Sequence, residues 1–331
     1  MSLPPSEIPL GAVRFNSDSQ KLEYWIGDAW MQVKTFSPNL DGGVRGIYAG
    51  GINTPSGNSS NEIQFFTIST QGDTTDFGDL TVTKRGGPAN ASNGTRGLVV
   101  AGNGTPATNN NIDYFTIGTT GNATDFGDPQ VARGGACTNG CATSAGRGVW
   151  SGGWPGNAMI EYVNIAVTGN SSDFGDLSFG GYPQSDIALN CDGTKGFFCG
   201  GYPNTDVVQY VTISTTGNTS DYMDLTVARY GLAGNSSDTR ATQGGGRGQG
   251  VDVIDYFTMS SSSNATDFGD LSTGFGYPGS AGDKSRGTIA TGLGGAGSKI
   301  EYYTIASTGN ATSFGDMSVN PNYMPGGVSG T

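Results

Sequence analysis

The sequence predicts an all-β fold, a β-propeller of six four-stranded blades preceded by a small β-meander. Three observations lead there. One stretch recurs six times: IQFFTISTQGDTTDFGDLTVTK from Ile63, IDYFTIGTTGNATDFGDPQVAR from Ile112, IEYVNIAVTGNSSDFGDLSFG from Ile160, VQYVTISTTGNTSDYMDLTVAR from Val208, IDYFTMSSSSNATDFGDLSTG from Ile254 and IEYYTIASTGNATSFGDMSVN from Ile300. The starts lie about 46 to 49 residues apart, the period of a propeller blade rather than of a shorter solenoid coil. Glycine supplies 58 of 331 residues, and no long apolar stretch has helical period, so short strands joined by tight turns are expected.

Composition narrows the function classes. Apolar residues make up only 34%, yet Ile, Val, Phe and Tyr fall at fixed places in each repeat, which argues against disorder. The formal net charge is -12, and Lys and Arg are spread at one or two per repeat. A nucleic-acid partner needs a basic footprint, and none is present. There is no basic segment followed by an apolar core at the N-terminus, and no apolar run of membrane-spanning length, so neither a secretory leader nor membrane insertion is expected. Cys137 and Cys141 stand four apart, Cys191 and Cys199 are isolated, and the chain has no histidine. Free, reduced thiols are expected, with no metal and no cofactor.

Residues 1–36 lie outside the repeat. Leu3-Pro4-Pro5 and Ile8-Pro9 block helix. Ala12 to Phe15, Lys21 to Ile26 and Trp30 to Val33 then read as three short strands, the last two joined by a tight turn at Gly27-Asp28. So small a meander cannot bury enough to stand alone and needs a partner. Through Gly11, Arg14, Phe15, Asn16, Asp18, Leu22, Glu23, Tyr24, Gly27 and Trp30 it resembles a short element found in many bacteriophage tail-fibre and other virion proteins. That resemblance implies docking onto a particle, with Arg14, Phe15, Tyr24, Trp25 and Trp30 as the docking residues. Small elements of this kind commonly trimerise, so a homo-oligomer is implied as well. Residues 37–44 read as a linker.

The repeats begin at Arg45, and 45–331 form the propeller. Each unit opens with a basic residue: Arg45, Arg96, Arg147, Lys195, Arg240 and Arg286. A glycine follows six residues later: Gly51, Gly102, Gly153, Gly201, Gly246 and Gly292. A glycine fixed at a strand end marks positive φ or a close backbone approach. The Ile-x-Tyr-x-Thr-Ile strand comes next, read as apolar on both faces and so sandwiched between neighbouring sheets. A hairpin turn follows in which Gly and Asn supply positive φ. Asp-Phe-Gly-Asp-Leu is the next strand, with Phe77, Phe126, Phe174, Tyr222, Phe268 and Phe314 packing blade on blade. Another glycine-rich strand then leads to the following basic residue, making four per unit. In this order of a Gly-Gly strand, a Tyr-centred strand, an aromatic and a basic residue near Val-Ala-Arg (Arg133, Arg229), the repeats resemble the kelch propeller. They depart from it in Phe for Trp and in Ala101 and Thr291 for one glycine. Residues 318–331 are expected to return as the innermost strand of the blade that begins at Arg45, since a ring fastened from both ends leaves no open edge.

Catalysis is not expected. The commonest general base is missing, which also excludes the chemistry of kelch-type copper oxidases. The repeated pairs Asp76/Asp79, Asp125/Asp128, Asp173/Asp176, Asp221/Asp224 and Asp267/Asp270 could suggest a carboxylate dyad. A catalytic pair, however, needs a unique environment, whereas these recur once per blade and read as structural. The sequons at Asn122, Asn170, Asn218, Asn264 and Asn310 fall in the same turns and read as incidental. Binding is the more credible activity. The loops after the Gly-Gly strand and after the fourth strand carry Trp154, Tyr182, Tyr202, Tyr230 and Tyr277, aromatic plates of the kind sugar faces require, among Asn, Asp and Ser. The expectation is a non-enzymatic structural protein of a tailed-phage virion, on a tail fibre, tail tip or head surface, with other virion proteins as partners and host-surface glycan as a possible ligand. The alternatives are a cellular kelch-like scaffold for a protein partner and, last, a polysaccharide-degrading enzyme.

Overall fold

A computed structural model describes residues 8–16, 21–32, 42–53, 56–84, 89–102, 110–133, 142–143, 146–153, 158–178, 185–249, 251–290, 292, 298–318, 322–323 and 325–329. Among them every regular element is a strand, and no helix is long and apolar enough to cross a membrane. The chain divides into two compact units, Met1–Asn39 and Leu40–Thr331.

The first unit holds an antiparallel three-stranded sheet of Val13–Asn16, Lys21–Trp25 and Trp30–Gln32. Its register pairs Val13 with Tyr24, Phe15 with Leu22, and Trp25 with Trp30.

The second unit contains six antiparallel sheets of the same design. In the first, Gly326–Ser329, Arg45–Ala49, Ser60–Thr67 and Thr75–Lys84 lie side by side in that order. The C-terminal strand thus completes the sheet of the first repeat, with Gly326 opposite Ala49 and Ser329 opposite Gly46. The second sheet is Ala89–Ser92, Arg96–Val100, Ile112–Thr116 and Thr124–Gly127. The third is Ala142–Thr143, Arg147–Trp150, Met159–Asn164 and Ser172–Asp176. The fourth is Ala188–Cys191, Lys195–Cys199, Thr205–Thr212 and Ser220–Tyr230. It departs from four strands, because the long Ser220–Tyr230 strand also pairs with Arg247–Gly248 from a loop of the next repeat. The fifth is Ala233–Ser236, Arg240–Gly244, Val253–Thr258 and Thr266–Asp270. The sixth is Gly279–Gly282, Arg286–Ala290, Lys299–Thr304 and Thr312–Asp316.

Apolar burial lies between sheets. Ile47, Ile63 and Phe77 of the first sheet pack with Val99, Phe115 and Ile117 of the second. The same pattern steps along the chain until Ala290, Ile300 and Phe314 of the sixth meet Tyr48, Phe66 and Ile68 of the first. The succession of interfaces therefore returns to its starting sheet. One sheet is too small to shield its own faces, so each depends on both neighbours.

Two polar clamps repeat at these interfaces. In the first, the turn of one sheet grips the fourth strand of the sheet before it. Gly121 N donates to Phe77 O (2.8 Å) and Ala123 N to Asp79 O (2.8 Å), while Asp79 N donates to Asn122 Oδ1 (3.1 Å). The joint between sixth and first sheets has the same form: Gly72 N to Phe314 O (3.0 Å), Thr74 N to Asp316 O (2.9 Å) and Asp316 N to Asp73 Oδ1 (2.9 Å). Gly121 has φ of 155° but Asn122 has no positive φ, which corrects the expectation that Asn serves the turn's backbone. Its side chain is instead the acceptor of the clamp. The DFG glycine is required by contact, since a methyl on Gly78 would stand 2.5 Å from Gly121 O. Where that glycine is Met223, the abutting turn glycine is also replaced, by Ser263. Met223 is buried in the core between those two sheets.

In the second clamp the basic residue that opens a repeat crosses to the next sheet. Arg45 donates to Ile117 O (2.9 Å), Arg96 to Ile165 O (2.9 Å) and Arg286 of the sixth sheet to Ile68 O of the first (2.7 Å). Each guanidinium also lies over an aromatic ring, as Arg96 does over Tyr114 at 4.5 Å. In the fourth sheet Lys195 stands over Tyr210 and Tyr222, and the Tyr222 hydroxyl makes the bridge instead, donating to Met259 O at 2.7 Å.

The Ile-x-Tyr strand is buried on both sides but not apolar on both, a second correction. Its x residue is fully enclosed. Asp113, Glu161 and Asp255 meet Lys84, Arg133 and Arg229 from the end of the preceding sheet, at 3.4, 2.6 and 2.5 Å. At the positions matching those cations the other repeats carry Gly181, Phe275 and Pro321. The facing residue is then Gln209, Glu301 or Gln64; Thr219 and Thr74 donate to the two glutamines, and Glu301 finds Lys299 at 2.7 Å. A buried carboxylate without a cation is prohibitive, so where the cation is lost the acid becomes glutamine or, at Glu301, takes a cation from its own strand.

The Ala101 position keeps the left-handed backbone of its glycine counterparts, with φ of 54° against 62° at Gly200. A side chain there costs about 1–2 kcal/mol. At Gly200 a methyl would also stand 2.5 Å from Arg229 O. Gly200→Ala is expected to lower unfolding free energy in urea by about 2 kcal/mol or more, and Ala101→Gly to leave it unchanged or slightly higher. Equal losses in both variants would contradict the assignment.

Candidate functional site

Three of the five predicted ligand-binding aromatics converge. Tyr202 follows the Gly-Gly end of Lys195–Cys199, Tyr230 ends Ser220–Tyr230, and Tyr277 precedes Gly279–Gly282. Their rings form a row, edge to face: Tyr202 to Tyr230 at 5.2 Å and 69°, Tyr230 to Tyr277 at 5.9 Å and 70°. Tyr202 is 49% exposed and the other two are half-buried. Trp154 and Tyr182 lie outside the described residues.

Backbone bonds position the row. Tyr202 N donates to Ser185 O (2.8 Å) and Tyr277 N to Gly231 O (2.9 Å). Tyr277 holds φ of 57°, and its ring lies on Gly231, where a methyl would stand 2.7 Å from Cδ1. Only glycine fits beneath that ring. The exposed Arg247 guanidinium sits 5.7 Å from the Tyr277 ring centroid, brought there by its pairing with Tyr230.

Asp186, missed by sequence reading, belongs to this site. It holds φ of 61°, and Gly231 N donates to its carbonyl at 2.8 Å. Asp186, Gly231 and Tyr277 thus occupy one position in three successive repeats, linked amide to carbonyl. The Asp186 side chain is 6% exposed. Ser185 Oγ donates to Oδ2 at 3.1 Å, while Oδ1 is buried with no hydrogen-bond partner. Burial pushes the carboxyl up to about 7, opposed by Ser185 and by the charge of Arg247. Burial, followed by the Asp186 charge, raises the Tyr277 phenol above its ordinary value. The available signal was an acid where the repeat demands left-handed backbone.

Stability should follow this carboxyl. Its folded value lies above the unfolded one, so between about pH 4 and 7 the folded chain holds a proton that the unfolded chain has released, and stability falls as pH rises. Asn tolerates the same backbone. Asp186→Asn is expected to flatten that slope and to stabilise at pH 8 by about 2–4 kcal/mol. Parallel pH-stability curves for the two proteins would contradict it.

Two other regions are less suited to a ligand. A cavity of about 140 Å³ is lined by the first strands of several sheets, including Asn90, Asn190, Asn235, Ser236 and Ser280. Its polar groups already staple neighbouring strands: Asn190 Nδ2 to Asn235 O (2.7 Å), Ser236 Oγ to Cys191 O (3.1 Å) and Ser280 Oγ to Gly234 O (2.9 Å). Among the described residues no cluster of three or more Cys, Asp or Glu is placed to hold a metal, and Cys199 is a free, buried thiol; Cys137 and Cys141 lie outside them.

The predicted docking residues divide between two faces of the N-terminal sheet. Arg14 pairs with Glu23 (2.9 Å) and lies over Trp30 (4.2 Å), which touches the buried Trp25 (5.4 Å). The Asn16 amide, followed by Arg14, holds the Glu23 carboxyl below its ordinary value. Phe15 and Tyr24 lie opposite, with Val13, Leu22 and Met31, on an exposed apolar face. No protein-family model and no curated protein matches the chain.

Proposed function

We propose that the six sheets are the blades of a closed, kelch-like β-propeller, and that the chain is a non-enzymatic structural protein of a tailed-phage virion. It docks through its N-terminal sheet to other virion proteins and displays the propeller toward host-surface glycan. The observation that carries the architecture is the return of both clamps and of the apolar interfaces from the sixth sheet to the first. A closed ring removes sheet edges and leaves its loops free to carry a binding face. The virion assignment rests on the resemblance of Gly11 to Trp30 to particle-docking elements. The exposed row of Val13, Phe15, Leu22, Tyr24 and Met31 supports it, since an apolar patch of that kind marks an interaction surface.

Particle composition tests this reading. The tagged full-length chain is expected to co-sediment with tailed-phage particles from its own source, while residues 40–331 stay in the supernatant. Particles lacking the chain, or equal sedimentation of the truncated form, would contradict it.

A further inference from the structure

We propose that the Tyr202–Tyr230–Tyr277 row, together with Asp186 and Arg247, binds a neutral hexopyranose ring. This rests on the reading of the propeller as a glycan-facing element, and it names the side chains and the sugar class. A pyranose presents C–H bonds on one face and hydroxyls around its rim, so it needs a flat plate and directional polar groups at the plate's edge. The half-exposed Tyr202 supplies the plate. Tyr230 backs it edge-on and Tyr277 backs Tyr230, so the plate is held before a ligand arrives and little ordering entropy remains to be lost.

The polar groups are of the matching kind. Asp186 Oδ1 is enclosed without a partner, which costs stability and is relieved when a ligand hydroxyl donates to it. Arg247 is exposed beside Tyr277 and offers donors to hydroxyl oxygens. Among the described residues, two of the three non-glycine positions with positive φ, Asp186 and Tyr277, sit here. The repeat pattern also breaks at the sheets that build the row, in the extra Arg247–Gly248 strand, in Met223 with Ser263, and in Lys195 with Tyr222. Departures from an otherwise consistent pattern gather at functional sites. The Asp186 carboxyl and the chain's net charge of -12 both disfavour an anionic sugar.

Saturation-transfer NMR tests the site, using the methyl glycosides of glucose, galactose and mannose beside those of glucuronate and galacturonate. At least one neutral glycoside is expected to bind. Tyr202→Ala should abolish that signal at unchanged melting temperature, and Asp186→Asn should weaken affinity about tenfold while raising stability. Silence from every neutral glycoside, preference for the uronates, or full affinity in either variant would overturn the proposal. These substitutions leave the N-terminal sheet intact. A chain that sediments with particles yet binds no sugar therefore removes this site and leaves the virion reading standing.

Discussion

Deleting residues 320–331 lowers the melting temperature by about 10 °C or more, the expected consequence of removing one edge of the first sheet. Gly326–Ser329 supplies a full register of pairing to Arg45–Ala49. Val328 is buried with Ile47, Val99 and Phe115, and the Ser92 hydroxyl donates to Ser329 O at 2.8 Å. A second short pairing, Asn322–Tyr323 with Ile52–Asn53, goes with it. The truncated chain exposes the backbone of Arg45–Ala49 along with the apolar surface that Val328 covers. Each of these terms alone is worth roughly 1–3 kcal/mol. At this chain length each kilocalorie shifts the midpoint by about 1–2 °C, and together the terms reach the expected drop. Scanning calorimetry on both forms decides it, and an unchanged melt would mean that the C-terminal strand is ornamental.

Arg229→Ala is expected to cost about 3–5 kcal/mol, the upper part of the range for truncating a long buried apolar residue. Its guanidinium is fully enclosed and donates to Gly245 O (2.9 Å), Val253 O (2.6 Å) and Asp255 Oδ2 (2.5 Å). Burial lowers the Arg229 pKa and raises that of Asp255 despite their mutual attraction, so desolvation outweighs the pair's own gain. Removing the cation leaves a carboxyl whose remaining side-chain partner is Thr226, which donates to Oδ1. The double variant Arg229→Met with Asp255→Leu is expected to recover most of the loss, because the cost lies in the orphaned charge rather than in the missing bond. Urea denaturation of the cycle measures this. Additive losses would show that the two residues act independently.

Much of this architecture was legible in the sequence, because the repeat carries its own phase. The strand bounds around Ile112, the turn at Gly121 and the returning C-terminal strand all follow from aligning six copies. What alignment within one repeat hides is dependence between neighbouring repeats. Glu161 looks like a variable position inside an apolar strand, and its reason is Arg133, a residue of the preceding repeat. Met223 looks like a lapse in the DFG motif until Ser263 is seen opposite it. The tyrosine row was legible as composition but not as a cluster. Tyr202, Tyr230 and Tyr277 stand at three different phases of the repeat, so their meeting depends on how one sheet is set against the next. Asp186 was legible only as an acid at a left-handed position of the repeat, and its burial was not, since nothing local distinguishes a buried acid from a solvated one.

The central claim is that the joint between the sixth sheet and the first is built like the joints between consecutive sheets. Amide hydrogen exchange at Gly72 and Thr74 tests it most directly, because these amides bond to Phe314 O and Asp316 O across that joint. The account expects protection comparable to that of Gly121 and Ala123, which make the equivalent bonds between the first and second sheets. Exchange at Gly72 and Thr74 as fast as that of exposed loop amides, with Gly121 and Ala123 protected, would contradict it.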